Sequence, residues 1–267
     1  MRVRDIVSIL EVVAPTRFAE SWDNVGLLVG DPAAAVSRVL LTIDCTDDVA
    51  EEARARGAEM VVAYHPPIFQ PLKRVIHPSL VFSAIRDGVA MYSPHTALDV
   101  APGGTNDVLG DIVGLVDRTP LRALKPRDGE SPPPGFGMGR VGSVAPVSRG
   151  ALIERIKVGL GVSHALVAGP TAGEVRRVAV CAGACGDLYR DAIAARADIY
   201  LTGELRHHDA LAAAAAGMTV VCTLHSNSER VALGALERAV RERVSLEGSA
   251  SVVVERSERD RDPFVVA

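Results

Sequence analysis

The segment VVAYHPPIFQP, residues 61–71, ends an apolar run with a histidine followed by two prolines. The apolar residues predict a buried strand, and His65 lies just past its carboxyl end. Proline fixes its own φ angle and moves the residue before it away from the helical region. His65 is therefore expected to be extended and held still. Such rigidity is unnecessary in an ordinary loop, but it suits a side chain that binds a ligand.

Predicted strands and helices alternate on both sides of this segment, after an amphipathic helix at residues 1–15. Strands are expected at residues 38–44, 58–64, 89–93, 139–146, 175–183, 198–203, 218–224 and 251–257. Helices are expected at residues 46–57, 78–88, 103–114, 148–161, 188–197, 205–217 and 226–244. This alternation predicts an α/β fold with layered sheets.

The length of 267 residues predicts two domains, because one domain typically takes roughly 100–200 residues. Residues 119–135 are rich in proline and charge and have no periodicity, which is typical of a linker. We therefore predict an N-terminal α/β domain at residues 1–118 and a C-terminal α/β domain at residues 136–267. The two halves resemble each other weakly in the order of their elements.

The composition argues against several classes of protein. The formal net charge is −4 and no basic block occurs, so nucleic-acid binding has no electrostatic support. The longest apolar stretch, ALAAAAAGMTVVCTL, is shorter than the roughly 18 residues of a membrane span. Four cysteines in a long chain without a secretion signal predict a reducing compartment and a cytoplasmic location. The two in CAGAC, Cys181 and Cys185, are expected to be buried thiols.

Titratable side chains gather at the predicted carboxyl ends of strands, which is where open α/β sheets bind their ligands. Imidazole and carboxylate groups together suit Zn²⁺, Fe²⁺ and Mn²⁺. Candidate residues at or soon after such ends are Asp44, Tyr64, His65, His95, Asp99, His225 and Glu229. Their coincidence predicts a metal site.

Several of these residues also have simpler interpretations. A histidine beside a threonine, as at His95, is usually a hydrogen-bonded loop residue. Asp99 fits a turn ahead of a proline. Ser226 and Glu229 have the spacing of a capping box, in which the glutamate reaches back to the start of its helix.

Five segments, in this order, resemble the Nif-three-like family, which is also catalogued as GTP cyclohydrolase 1 type 2. They are SWDNVGLLVG (21–30), YHPPIF (64–69), HTALDVAPGGTND (95–107), DIYLTGE (198–204) and HSNSE (225–229). The match runs along most of the chain. The resemblance implies two related layered α/β domains with a metal-binding cleft between them, and assembly into a closed homohexameric ring.

The resemblance also implies a set of ligands for one or two divalent ions per chain. These ligands are His65, Asp99, His225 and Glu229, with Glu229 bridging both ions. Tyr64 is a departure, because many members have a second histidine at this place. A neutral phenol, whose pKa is about 10, is a poor ligand unless the metal deprotonates it.

The function implied is that of a metal-dependent hydrolase acting on a small phosphorylated or nucleotide-like substrate. His95 and Glu204 are candidates either for supporting the metal ligands or for proton transfer, and Lys73 or Arg206 for binding phosphate. One alternative is a non-catalytic metal-binding ring that serves as an interaction or metal-handling protein. Another is a purely structural ion that stabilises the joint between the domains. An open coordination position would favour catalysis over both alternatives.

Overall fold

A computed structural model describes residues 1–125, 131–248 and 251–266 of the protein. The chain divides into two compact units, and each unit consists of two segments that are separate in the sequence. The first unit comprises Met1–Leu98 and Leu233–Arg261, and the second comprises Asp99–Ala232 and Asp262–Ala267.

Helices and strands alternate through most of the described residues. The α-helices are α1 (Val3–Val13), α2 (Asp47–Arg56), α3 (Leu80–Asp87), α4 (His95–Val100), α5 (Thr105–Val113), α6 (Arg149–Leu160), α7 (Leu188–Ala194), α8 (His207–Ala215), α9 (His225–Arg230) and α10 (Ala232–Leu246). The strands are β1 (Gly26–Val29), β2 (Arg38–Thr42), β3 (Met60–Ala63), β4 (Ala90–Ser93), β5 (Val116–Ala123), β6 (Gly137–Ser148), β7 (Leu166–Ala168), β8 (Glu174–Cys181), β9 (Ile199–Thr202), β10 (Thr219–Cys222) and β11 (Val253–Arg256). A 3₁₀ turn lies at Thr16–Phe18.

The first unit is built on a five-stranded sheet in the order β1-β4-β3-β2-β11. The strands β4, β3, β2 and β11 are parallel, and β1 is antiparallel to β4. Both faces are covered, since Leu41 packs in the cluster that contains residues of α1 and α10, whereas Leu40 packs with residues of α2. Consecutive apolar residues in β2 therefore pack on opposite faces of the sheet, as expected for a buried parallel strand. The parallel strands end together at Thr42 and Ala63, which are register partners.

The second unit is built on a six-stranded sheet in the order β5-β6-β8-β9-β10-β7. The central strands β8, β9 and β10 are parallel, and their last residues Cys181, Thr202 and Cys222 are register partners. Residues of α5 and α6 pack in one core cluster, and residues of α7 and α8 pack in another. Because the three parallel strands end level, the loops that follow them gather at one edge of the sheet.

The predicted α/β fold with layered sheets is confirmed, although some elements differ from the prediction. The strands β1 and β7 and the helix α4 were not predicted, and the last predicted helix is two helices, α9 and α10. The proposed linker, residues 119–135, contains most of β5, and residues 126–130 of it lie outside the described residues. Pro120 is tolerated in β5 because this strand lies at the edge of its sheet.

The two units also divide the chain differently from the predicted domains 1–118 and 136–267. The first unit ends at Leu98, and residues from Leu233 onward rejoin it. The reason is that β11 pairs with β2, placing Val254 opposite Val39, and Leu236 of α10 packs into the core beside α1. The C-terminal segment thus completes the first sheet. Within the described ranges, no helix has both the length and the apolar character needed to cross a membrane.

The prediction that Cys181 and Cys185 are buried thiols is wrong, because the two are oxidised. Cys181, at the end of β8, and Cys185 form a disulfide across four residues of sequence. The pairing is sterically accessible because the loop between them turns back at Gly183, which has a φ of +69°, and brings the two Cα atoms to 6.3 Å. Cys45 and Cys222 are free thiols.

Candidate metal centre

In the first unit, His65 is fixed by both its backbone and its ring. The backbone N–H groups of Tyr64 and His65 donate to the carbonyls of Thr42 and Ile43, so the residues beyond β3 remain tied to the neighbouring chain. The Nδ1 atom of His65 lies 2.9 Å from Oδ1 of Asp44, which follows β2. A carboxylate at Nδ1 keeps the ring proton on that nitrogen. The lone pair is then on Nε2, which is the atom that a metal would bind.

A second histidine in this unit has the same arrangement. His95, the first residue of α4, has Nδ1 at 2.8 Å from Oδ1 of Asp23, whose side chain is fully buried. Thr96 donates to the other oxygen of Asp23 through its N–H, at 3.1 Å, and through its hydroxyl. Burial alone would raise the pKa of Asp23, but the hydrogen bonds from His95 and Thr96 outweigh it and lower the pKa below its usual value. Asp23 is therefore ionised and anchors His95.

The rings of Tyr64, His65 and His95 contact one another edge to face. The centroid of the Tyr64 ring lies 5.4 Å from that of His65 and 5.9 Å from that of His95, and the two imidazoles are 5.4 Å apart. Tyr64 has no exposed surface and belongs to the core cluster that contains residues of α1 and α10. This geometry gives Tyr64 a packing role against both imidazoles, and its ligand role stays a prediction. His95, interpreted alternatively as a loop residue, instead begins a helix.

In the second unit, His225 lies between two carboxylates. Its Nδ1 is 3.1 Å from Oε1 of Glu204, which follows β9, and its Nε2 is 3.3 Å from Oε1 of Glu229. The side chain of Glu229 is only 4% exposed, whereas that of Glu204 is half exposed. Glu204 therefore orients the His225 ring through Nδ1, and the opposite nitrogen, Nε2, lies next to the carboxylate of Glu229. Of the two roles predicted for Glu204, supporting a ligand or transferring a proton, its contact with Nδ1 favours the first.

The loop after β8 packs against the side chains of His225 and Glu229. Gly183, in the middle of the disulfide loop, accepts hydrogen bonds at its carbonyl from the N–H groups of Gly203 and Glu204. A Cβ atom added at Gly183 would lie 2.6 Å from Oε1 of Glu229 and 3.3 Å from Nε2 of His225. With a positive φ as well, the position requires glycine. The CAGAC segment, predicted only to hold buried thiols, therefore shapes the candidate site.

The alternative interpretation of Glu229 as part of a capping box is wrong. Helix α9 begins at His225, and its N-cap is Leu224, so Ser226 lies inside the first turn. The Ser226 hydroxyl donates instead to Oδ2 of Asp262, at 2.7 Å. Ser228 fixes the helix to the disulfide loop, because its hydroxyl accepts from the N–H of Gly183 at 2.8 Å. Glu229 therefore does not cap its helix.

Asp99 belongs to the second unit, where it is 8% exposed. Its backbone carbonyl accepts from the side-chain amide of the fully buried Asn106, at 3.0 Å. The amide oxygen of Asn106 accepts from the N–H of Ala182, at 2.9 Å, which is next to Gly183. Asn106 thus joins the Asp99 segment to the disulfide loop, a role that the sequence interpretation missed. The assignment of Asp99 as a ligand stays a prediction.

The free thiols are unsuited to nucleophilic chemistry. Burial, with nearby carboxylates, raises the pKa of Cys45 to about 12 and that of Cys222 to about 11. Both thiols are therefore protonated at neutral pH.

The chain is similar to known proteins both in sequence and in fold. The family model described as Duf34/NIF3 (NGG1p interacting factor 3) matches residues 1–263. NIF3-like protein 1 of Drosophila melanogaster is 37% identical over 268 residues, covering 97% of this chain and 87% of that protein. A GTP cyclohydrolase 1 type 2 homolog of Clostridium perfringens is 31% identical, covering 99% of each chain. The crystal structure of a Staphylococcus aureus hypothetical protein superposes with a TM-score of 0.91 at 26% identity, covering 100% of this chain and 99% of that one.

Proposed function

Because the chain belongs to the Duf34/NIF3 family, we propose that it is a metal-dependent hydrolase acting on a small phosphorylated or nucleotide-like substrate. The observation that carries the proposal is that His65, His95 and His225 each have a carboxylate at Nδ1. Metal-ligating histidines are typically oriented in this way, with Nε2 as the donor atom. One such pair could be structural, but three at strand ends support the proposal of metal binding.

The residues proposed to hold the metal include both imidazole and carboxylate groups. His65, His225 and Glu229 are a group whose side chains could hold one ion. Two imidazoles and a carboxylate suit Zn²⁺, Fe²⁺ or Mn²⁺ and leave a coordination position for water or substrate. Asp99 and Tyr64 are the proposed ligands of a second ion, with Glu229 bridging the two.

The chemistry follows from this donor set. A divalent ion would lower the pKa of a bound water to about 7 and polarise the bond to be hydrolysed. Asp44 and Glu204 keep His65 and His225 oriented, and His95, anchored by Asp23, is the proposed proton acceptor. The name of the Clostridium perfringens relative supports a nucleotide such as GTP as the substrate.

The test is metal analysis of untagged protein purified without chelator, together with a panel of phosphate esters and nucleotides. The proposal predicts one or two equivalents of metal per chain and hydrolysis that chelator abolishes. His65→Ala should lower the metal content while the protein stays folded. Metal bound in full without turnover of any substrate would favour the alternative, a metal-handling or interaction protein. Metal-free wild-type protein would contradict both.

We further propose that the protein assembles as a homohexameric ring, as the family resemblance implies. Purified protein should then elute well above the monomer mass of 28.1 kDa, at a size independent of salt. Light scattering measures the mass directly. A monomer across a wide range of concentrations would contradict the ring.

A further inference from the structure

A cavity of about 540 Å³ opens in the second unit beside the candidate metal centre. It is lined by the loop at residues 184–187, by the start of α7, and by residues 204–206 with the start of α8. Its volume is within the range of roughly 300–1,000 Å³ typical of pockets for small ligands. Glu204 lines this cavity and also contacts His225, so a ligand in the cavity would lie next to an imidazole of the proposed metal site.

Two arginines, Arg190 and Arg206, supply the positive charge of the cavity wall. Across the described ranges, neither guanidinium forms a hydrogen bond or ion pair with another side chain. Arg190 lies over the ring of Tyr189, with its Cζ atom 5.5 Å from the ring centroid. This cation–π contact orients the guanidinium without neutralising it. Arg206 is the N-cap residue of α8 and is exposed.

The acidic residues of the wall are largely occupied by other partners. Asp187 forms an ion pair with Arg122, at 3.0 Å. Glu204 is hydrogen-bonded to Nδ1 of His225. Asp209 lies in the first turn of α8, where the helix dipole favours a carboxylate. The two guanidiniums are therefore the charges most available to an incoming ligand.

We propose that Arg190 and Arg206 bind the phosphate group of the substrate and thereby set its specificity for organic phosphates. The inference rests on the proposed function, because it places the scissile bond at the metal and the phosphate in this cavity. Guanidinium groups bind phosphate oxygens through paired, charge-assisted hydrogen bonds. Two such groups match the double negative charge of a phosphate monoester better than the single charge of a carboxylate.

The test is calorimetric binding of inorganic phosphate to the full-length protein, measured with its metal present and again after chelator treatment. Arg190→Met and Arg206→Met should each weaken phosphate binding about 10- to 100-fold in both states, as the loss of a charged hydrogen bond does. The double variant should show no measurable binding. Arg196→Met is the matched control, since this exposed arginine follows α7 and does not line the cavity. It should bind phosphate like the wild type.

The outcomes separate this inference from the proposed function. Phosphate binding that disappears with the metal and is unaffected by the arginine variants would overturn the inference, while the metal site would stand. Arginine-dependent binding to a protein that never holds metal would support the cavity and overturn the proposed function. Acetate that displaces phosphate at equal concentration would overturn the assignment to phosphate.

Discussion

Replacing Glu229 with glutamine should remove most of the bound metal while leaving the protein folded. The carboxylate of Glu229 is buried and lies 3.3 Å from Nε2 of His225. As a metal ligand it supplies a negative charge, and a neutral amide cannot replace this. Losing a residue that is hydrogen-bonded to a metal ligand typically lowers metal affinity about 10- to 100-fold. Because Glu229 is itself a proposed ligand, we expect a larger fall. Elemental analysis per folded chain gives the measurement.

The control is Ser226→Ala in the same helix. Its hydroxyl bonds to Asp262 and accepts from Arg230, so its loss should cost about 0.5–1.5 kcal/mol of stability. Both Glu229 and His225 keep their contacts in this variant, and the metal should remain. A full metal complement in Glu229→Gln would show that Glu229 is not a ligand and would remove the case for a bridged pair of ions.

The sequence was sufficient to predict the strand ends on which the candidate site is built. The periodicity of short apolar runs between capped helices placed β2, β3, β4, β8, β9 and β10 within a few residues. The level ends of parallel strands then bring His65 beside Asp44 in one unit, and His225 beside Glu204 in the other. Topology of this kind follows from local patterns, because alternating helices and strands make parallel sheets.

The residue that orients His95 could not be predicted from the sequence in the same way. Asp23 is 72 positions from His95. Such pairings depend on how strands meet, and no local pattern records them. Strand β1 was missed because it is four residues long and lies at the edge of its sheet. The return of residues 233–261 to the first unit is likewise a matter of long-range pairing.

A comparable limit applies to the motif GGTND, whose residues resembled part of a ligand segment. In the structure its last two residues are structural: Asn106 joins two loops, and Asp107 forms an ion pair with Arg140. Arg140 lies in GMGRVG, a glycine-rich segment far along the sequence. Nothing in either segment alone indicates that they form a buried polar network.

This network leads to the largest expected effect on stability, that of Arg140→Met. Arg140 is 2% exposed, and its guanidinium donates to both carboxylate oxygens of Asp107, at 3.0 and 3.1 Å. It also donates to the carbonyls of Gly137 and Gly139, at 2.7 and 2.8 Å, and to that of Ala101, at 3.1 Å. Methionine has a similar length but no donors. Asp107 and the carbonyls would lose these bonds in a buried setting.

Removing one partner of a buried ion pair costs about 3–5 kcal/mol, which corresponds to a fall in thermal midpoint of about 6–20 °C. Arg176→Met is the control, because Arg176 pairs with Glu174 at the surface and should change stability by less than about 1 kcal/mol. The double variant Arg140→Met with Asp107→Leu should recover part of the loss, since no charge is then left without its partner. A single variant as stable as the wild type would contradict the network's role. A double variant whose loss equals the sum of its parts would show that the two residues act independently.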